Sequence, residues 1–372
     1  MKLKGKNILL ISPESWGNNF VSKHHYAKEL AKKRNTVYFL NRPSATFSVN
    51  TEENNLFVVD YKPKFKGLGK LPNMFSAYLI NREIISLEKL LAVKFDVIWN
   101  FDSSRFFNLA YVKNKLRVCH IVDLSENFQR ELLANTSDVC FCTSDFIADE
   151  LKPYNNKVYK IHHGYESSTS GHHVNVLGLQ LTDKLKVGYV GNLTIKYLDW
   201  ELIYNLILEN SSVEFYFIGN VGLSNLSSSI GSDVFRDKAK LLSNAFFLGQ
   251  KSSLEIPFYL KQFDVNLLCY KASEYEGQLS SPHKFMEYFG SGNVIVSTYT
   301  DEYKDKRQLL EMVDQREEFI NRFSQVVEDV CYHNSESKRM LRKEFAKQNT
   351  YSKQIGKIEE VLKTVLLDEG RK

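Results

Sequence analysis

Short apolar runs of strand character alternate with segments of helical period from Asn7 to Ile161, and the same alternation starts afresh at Lys186. Such alternation fits a parallel sheet with helices on its faces, and it appears twice. The first series reads as strands over 7–12, 36–40, 56–60, 97–100, 118–122, 139–142 and 158–161, with helices near 20–33, 75–92, 105–113, 126–133 and 145–151. The second reads as strands over 186–190, 214–218, 245–248, 265–268 and 293–297, followed by helices near 317–330, 335–348 and 352–367. A chain of 372 residues exceeds one ordinary core of ~150 residues and suits two α/β domains. The stretch 164–183 carries glycine, serine and threonine with little periodicity, so the boundary falls there. The expected division is 1–178, 179–350, and a closing amphipathic helix, 351–372, that packs back on the first domain. Ligands of doubly wound sheets collect at the carboxyl ends of the strands.

Charge is shared unevenly between the halves. Through Gly178 there are 24 Lys and Arg against 17 Asp and Glu, net +7; the remainder has 25 against 27, net −2, and the two give the chain's +5. The densest basic patch, Tyr-Lys-Pro-Lys-Phe-Lys-Gly-Leu-Gly-Lys from Tyr61 to Lys70, sets Lys62, Lys64, Lys66 and Lys70 among aromatic and apolar residues. That composition suits an anionic membrane surface, and equally a solvated loop. No run reaches the ~18 apolar residues that cross a bilayer, and the N-terminus leads straight into a strand without a signal peptide. Cys119, Cys140, Cys142, Cys269 and Cys331 are odd in number and mostly sit in apolar runs, so reduced thiols in a cytoplasmic protein are expected.

The densest chemistry lies in Leu-Ser-Ser-Pro-His-Lys-Phe-Met-Glu-Tyr-Phe-Gly-Ser-Gly-Asn-Val-Ile-Val, residues 279–296. Ser281 suits an N-cap and Pro282 the first helical position, so the spacing predicts a helix start with unpaired backbone donors, ready for an anion. Ser281, Lys284 and Glu287, three apart, would then offer a hydroxyl, a cation and a carboxylate from one face. A nucleoside diphosphate with its ribose diol matches that set. Earlier, the turn after the first strand, Ser15-Trp16-Gly17-Asn18-Asn19, leads into a helix carrying His24 and His25, a place for an acceptor or a phosphate against backbone donors.

The pattern P-x-K-x-x-E-Y-x-x-x-G before an apolar strand resembles the nucleotide-sugar segment of GT-B glycosyltransferases, especially bacterial family-4 enzymes of cell-surface polysaccharide synthesis. Residues 186–219 resemble the first strand, phosphate loop and second strand of that family's C-terminal domain, and 244–268 the next two strands with their helix. The resemblance covers about half of the chain. It implies an α/β fold of two Rossmann-like domains facing across a cleft (GT-B), with the donor on the second domain and the acceptor on the first. Donor residues would be Gly17, Gly191, Asn192, Lys196, Gly249, Gln250, Ser280, Ser281, Lys284 and Glu287. Lys196 and Lys284 would stabilise the leaving diphosphate, Glu287 would take the ribose hydroxyls, and Gly249 and Gln250 would meet the base. Trp16, His24 and His25 would face the acceptor. Asp123, and behind it His120, stand where such enzymes place a catalytic or sugar-binding group; strand alternation puts the two on opposite faces.

Two departures mark the chain. The family often has arginine at the position of Asn192, and its retaining members carry a glutamate at the position of Leu279; Glu274 and Glu276 lie nearby. No Asp-x-Asp and no zinc-type Cys/His spacing occur, which points to a reaction without metal or resident cofactor. A Walker A loop, a G-x-G-x-x-G after a strand and a G-x-S-x-G elbow are also missing. The expected activity is transfer of a sugar, with retention of configuration, from a nucleoside-diphosphate donor to a polysaccharide or lipid-linked acceptor, in the cytoplasm or at the inner membrane face. The expected partners are therefore the nucleotide sugar, that acceptor and the anionic surface, and no nucleic acid. A nucleotide-sugar epimerase and a binding subunit without catalysis are the alternatives for the same shape.

Overall fold

The computed structural model describes residues 2–17, 20–124, 129–166, 177–220, 233–275, 279 and 281–369, with side chains to Val365. In chain order the first elements are β1 (Asn7–Ile11), α1 (Ser22–Lys32), β2 (Thr36–Pro43), β3 (Ser48–Glu53), β4 (Leu56–Tyr61), α2 (Asn73–Leu90), β5 (Val97–Asn100), β6 (Leu116–Ile121), α3 (Arg130–Asn135), β7 (Val139–Cys142), α4 (Asp145–Leu151) and β8 (Val158–Lys160). There follow β9 (Lys186–Val190), α5 (Trp200–Glu209), β10 (Glu214–Ile218), α6 (Val234–Ala239), β11 (Ala245–Gly249), α7 (Ile256–Gln262), β12 (Val265–Leu268), α8 (Lys284–Ser291), β13 (Val294–Ser297), β14 (Glu311–Met312), α9 (Phe319–Glu328), α10 (Val330–His333), α11 (Glu336–Gln348) and α12 (Tyr351–Glu369).

Internal contacts divide the chain into unit 1, Met1–Gly164 with Tyr351–Lys372, and unit 2, Tyr165–Thr350. The division thus falls at Gly164 rather than at Gly178, and α12 belongs to unit 1. Unit 1 holds the sheet β3-β4-β2-β1-β5-β6-β7-β8, parallel except for the edge strand β3. Its inner strands bury both faces: in β1, Ile8 and Leu10 join one apolar cluster with α1 and α12, while Leu9 and Ile11 join the other with α2 and α4. Period-two alternation in a run with no polar break feeds two cores at once. Unit 2 holds the parallel sheet β11-β10-β9-β12-β13-β14 around a single cluster.

Two parts of the sequence reading need correction. Residues 105–113 form no helix. The backbone there is satisfied by side chains instead: Asn100 donates to Phe106 O (2.9 Å), Asp102 accepts from Ser104 N (2.9 Å), and Thr136 Oγ1 accepts from Leu109 N (3.0 Å). Side-chain bonds of this kind compete with the helical ladder and here they win. The antiparallel strand β3, exposed along nearly its whole length, carried no apolar signal. Cys119, Cys140, Cys142 and Cys269 are buried thiols, while Cys331 is exposed on α10. Among the described residues no helix is long and apolar enough to cross a membrane.

Candidate functional site

The site in unit 2 begins with two strands that part company. In the order β10-β9-β12-β13, the strands β9 and β12 pair only at Val187 with Val265 and Gly188 with Asn266, and then diverge. This is the point where strand order reverses, and a crevice opens at the carboxyl ends of such a pair. Tyr288 of α8 bridges the divergence: its hydroxyl accepts from Val190 N (3.0 Å) and donates to Leu267 O (3.3 Å). Burial keeps that phenol protonated, with its pKa raised well above the ordinary value. The far end of α8 is held too, because the buried Arg342 guanidinium donates to Gly292 O (3.0 Å), Leu309 O (2.9 Å) and His333 O (3.0 Å).

One turn before Tyr288, at i and i+4 on the same helix face, Lys284 reaches over the exit of β9. Gly191 there has φ +153°, a value that favours glycine, and a β-carbon on it would overlap Lys284 Cε and lie 2.6 Å from Nζ. A β-carbon on Gly219, at the exit of β10, would collide with the carbonyl oxygen of Gly191. Glycine therefore keeps these two strand exits low enough for backbone and ammonium to stand together. Lys284 is 9% exposed and donates to the Tyr270 hydroxyl (3.0 Å), with the Tyr189 ring 5.6 Å away. Among the described residues this buried ammonium has a single neutral acceptor, which leaves two donors for an anion.

The structure brings several predicted residues to this point. Asn192 makes an Asx turn, its Oδ1 accepting from Thr194 N (2.9 Å) and Thr194 Oγ1 (2.8 Å), which shapes the loop after Gly191. Lys196 is exposed, with its ammonium 5.0 Å from the centre of the Tyr275 ring. Tyr275, Tyr197 and Tyr270 follow one another at 6.0 and 5.3 Å, so a row of tyrosines joins the two lysines. Glu287 is half-buried on α8, and its charge adds to burial in raising the pKa of Tyr165. Gly249 ends β11, two strands from β9, Gln250 follows it, and both are exposed. Two strand spacings are roughly 10 Å, a span that a nucleoside covers. Beside the row lies a cavity of about 340 Å³ that shares Tyr270 with it and has Glu274 in its lining; Arg316 on its wall is held by Asp199 (2.6 Å) and Glu201 (2.9 Å).

The helix start differs from the expectation. α8 begins at Lys284 with His283 at the cap position, so Ser281 is not its N-cap and Pro282 is not its first residue. Phe285 N and Met286 N bond to Pro282 O (3.3 Å) and His283 O (3.2 Å), a tight turn that uses up donors which a phosphate would have taken. The anion-facing group here is the Lys284 ammonium rather than a row of amides. Ser280, Glu276, Asn18 and Asn19 lie outside the described residues. Leu279 is 3% exposed within the unit 2 core, so nothing ionisable stands at that position.

Unit 1 corrects more of the reading. His24 is fully buried, with Nδ1 accepting from Val21 N (3.1 Å) and Nε2 bonded to Ser15 O (3.1 Å). Burial lowers its pKa to about 4, so it is a neutral staple of the β1–α1 turn and not an acceptor ligand. His120 is also fully buried, stacked on Phe101 (4.5 Å) with Nδ1 accepting from Trp99 Nε1 (3.3 Å), and no atom of it can reach a substrate. Trp16 is half-buried against Phe39 (4.9 Å), and His25 stacks on Tyr351 (4.7 Å). Gly17 is exposed, and a β-carbon on it would meet open space. Asp123 is exposed two residues beyond β6. Among the described residues, no three His, Cys, Asp or Glu side chains gather as a metal site.

Sequence reasoning missed Tyr270 and Tyr288, which organise the site. Tyr288 had a signal, being four residues after Lys284 on the same helix face; Tyr270 had only its place two residues beyond a strand's carboxyl end.

None of the protein-family models compared matches the chain. TuaH of Bacillus subtilis (strain 168), assigned as a glycosyltransferase of teichuronic acid biosynthesis, is 24% identical over 190 residues, which span 47% of this chain and 46% of that protein. The match thus takes in about half the length of this curated relative. Among solved structures, sucrose-phosphate synthase from Thermosynechococcus elongatus aligns with a TM-score of 0.72 at 12% identity, over 98% of this chain and all of that one. Anabaena Alr3699/HepE in complex with UDP and glucose aligns at 0.68 and 13%, over 96% and 99%. The E. coli trehalose-6-phosphate structure with UDP-2-fluoro glucose aligns at 0.66 and 10%, over 95% and 98%. These likenesses extend over both units and show a common fold.

Proposed function

Taking as premise the GT-B fold that this chain shares with those structures, we propose that it is a glycosyltransferase that moves a sugar from a nucleoside-diphosphate donor to a carbohydrate or lipid-linked acceptor. The observation that carries this reading is the Lys284 ammonium, buried beside the Gly191 backbone and steadied by Tyr270 at the reversal of strand order. An ammonium fixed there is a preorganised partner for the charge that grows on a departing diphosphate. Lys196, joined to it through the tyrosine row, is the second cation, and Glu287 on the same helix takes the ribose hydroxyls. The base extends toward Gly249 and Gln250. UDP is the first nucleotide to test, because UDP is bound in the Alr3699/HepE complex.

In the reaction the bond from the anomeric carbon to the β-phosphate oxygen breaks, and its electron pair leaves with the diphosphate. The acceptor oxygen forms the new bond and gives up its proton, with Asp123 the candidate to take it. No metal is required in this scheme. Retention of configuration belongs to the proposal, and it must be reached without a glutamate at position 279. Surface polysaccharide synthesis is the process the resemblance to TuaH favours.

The test is transfer from UDP-sugars, with product configuration read by NMR and with chelator in one arm. Lys284→Ala is expected to lower turnover about 100- to 1,000-fold and Glu287→Ala to weaken donor binding about tenfold, both with unchanged circular dichroism. Parental rates in both variants would remove the site from the mechanism. Nucleotide binding without transfer to any acceptor would favour a binding subunit, the reading to which the buried Leu279 lends weight.

A further inference from the structure

From Tyr61 to Arg82 the chain contains Lys62, Lys64, Lys66, Lys70 and Arg82 and no acidic residue. All five cations are exposed. Between them stand Leu71, Met74, Phe75 and Tyr78, exposed at 38, 67, 61 and 52%. In α2 the helical period puts Met74, Phe75, Tyr78 and Arg82 along one side, while Ser76, Ala77, Ile80, Glu83 and Ile84 are buried on the other. The helix therefore spends its apolar residues on both faces, and among the described residues only one of those faces is covered. Contiguous exposed apolar groups rimmed by charge mark an interaction surface.

The patch is held in a fixed frame. Lys64 N donates to Glu83 Oε2 (3.0 Å), and Asn108 Nδ2 donates to Asn73 O (2.9 Å) at the first residue of α2. Its position also matters. β4 runs parallel to β2 and, through it, to β1, so its end at Tyr61 and the segment leaving it arise at the same carboxyl edge as the Ser15–Gly17 turn. Cations around inward-ready aromatic and methionine side chains are complementary to one occupant above others, a bilayer surface with phosphate headgroups over an apolar interior.

We propose that unit 1 docks on an anionic membrane, with Leu71, Met74, Phe75 and Tyr78 entering the headgroup boundary and Lys62, Lys64, Lys66 and Lys70 on the lipid phosphates. The docking itself is independent of the donor site. Its consequence for a lipid-linked acceptor, which would arrive at the edge of unit 1 that already faces the bilayer, rests on the proposed activity.

The test is co-sedimentation of the full chain with vesicles of phosphatidylcholine alone or mixed with phosphatidylglycerol, at low and high salt. Binding is expected only to the mixed vesicles, falling with salt. Each lysine changed to glutamine should weaken it about fivefold. Met74→Ser with Phe75→Ser should lower it at least tenfold while UDP binding stays at the parental level. A Phe75→Trp variant should shift its emission to the blue on mixed vesicles. Binding to neither vesicle, equal binding to both, no blue shift, or equal capture by a soluble anionic polysaccharide would each overturn the proposal. Loss of transfer with vesicle binding intact would count against the proposed activity instead.

Discussion

The two sheets reverse their strand order in the same manner and finish that point in opposite ways. In unit 1, between β1 and β5, the exits are tied together by the chain's own side chains. The Arg105 guanidinium donates to Ser12 O (2.5 Å), Asn41 O (2.9 Å), the Tyr61 hydroxyl (3.1 Å) and the Asp102 carboxylate, and His24 staples the turn beyond. In unit 2, between β9 and β12, glycines clear the exits and the cation that stands over them, Lys284, has a phenol for its partner. A guanidinium that already holds three neutral oxygens and a carboxylate has little left for a substrate, whereas an ammonium with one neutral oxygen among the described residues has most of its capacity left. The difference teaches that the same topological feature becomes a brace or a binding site according to which side chains complete the cation's valence.

The largest break in this comparison comes from Arg105→Ala. Asp102 is 3% exposed and would be left as an uncompensated buried charge, with two carbonyls stripped of a donor. Removing one partner of such a pair costs about 3–5 kcal/mol. Hydrogen exchange read by mass spectrometry should show unit 1 opening more often while peptides of unit 2 and UDP affinity hold their parental values. A matching loss of UDP affinity would mean that the brace and the donor site are one structure.

Acid sharpens the contrast further. His24 has a folded pKa of about 4 against an ordinary value of 6.5, because burial disfavours its charged form. The unfolded chain therefore takes up this proton first as pH falls, so stability present above pH 6.5 is lost progressively down to about 4, by about 3 kcal/mol. His120, pushed well below its ordinary value by burial, acts in the same direction. With Trp200→Phe as background, the remaining Trp16 and Trp99 report unit 1 alone, and urea midpoints should drop across that window. A flat midpoint between pH 6.5 and 4.5 would contradict the buried neutral imidazole.

Unit 2 was far more legible in the sequence than unit 1, and the reason is physical. Its strands at Lys186–Val190, Glu214–Ile218 and Val265–Leu268 are bounded by turns that leave no choice of register, and their limits agree with the sequence reading. Gly191, Lys196, Lys284 and Glu287 stood out by residue type, and the fold then sets Gly191 against Lys284 and places the tyrosine row between the two lysines. The helix start at Ser281-Pro282 misled because cap preference is a local rule, and the chain makes a tight turn there before α8. In unit 1, His24 and His120 have the residue type of catalysis, but their neighbours Phe39, Phe101, Trp99 and Tyr26 bury them, and those contacts come from other elements of the fold. The β3 edge strand, exposed and held by its antiparallel ladder to β4, and the irregular stretch after Asn100, held by side-chain bonds to backbone, were equally out of reach.

The smallest effects come from a pair of glycines, one at each reversal point. Gly191→Ala must hold φ near +153° and push the Lys284 side chain off the β9 exit, so about 1–3 kcal/mol of strain and a clear loss of UDP affinity are expected. Gly17→Ala puts its methyl into open space, and a change within about 0.5 kcal/mol is expected, with UDP affinity untouched. Calorimetric titration of UDP and thermal unfolding of both variants check the pair. Equal behaviour of the two glycines would erase the distinction between a cleared exit and an idle one, because the methyl at position 191 is the smallest probe that separates backbone from ammonium.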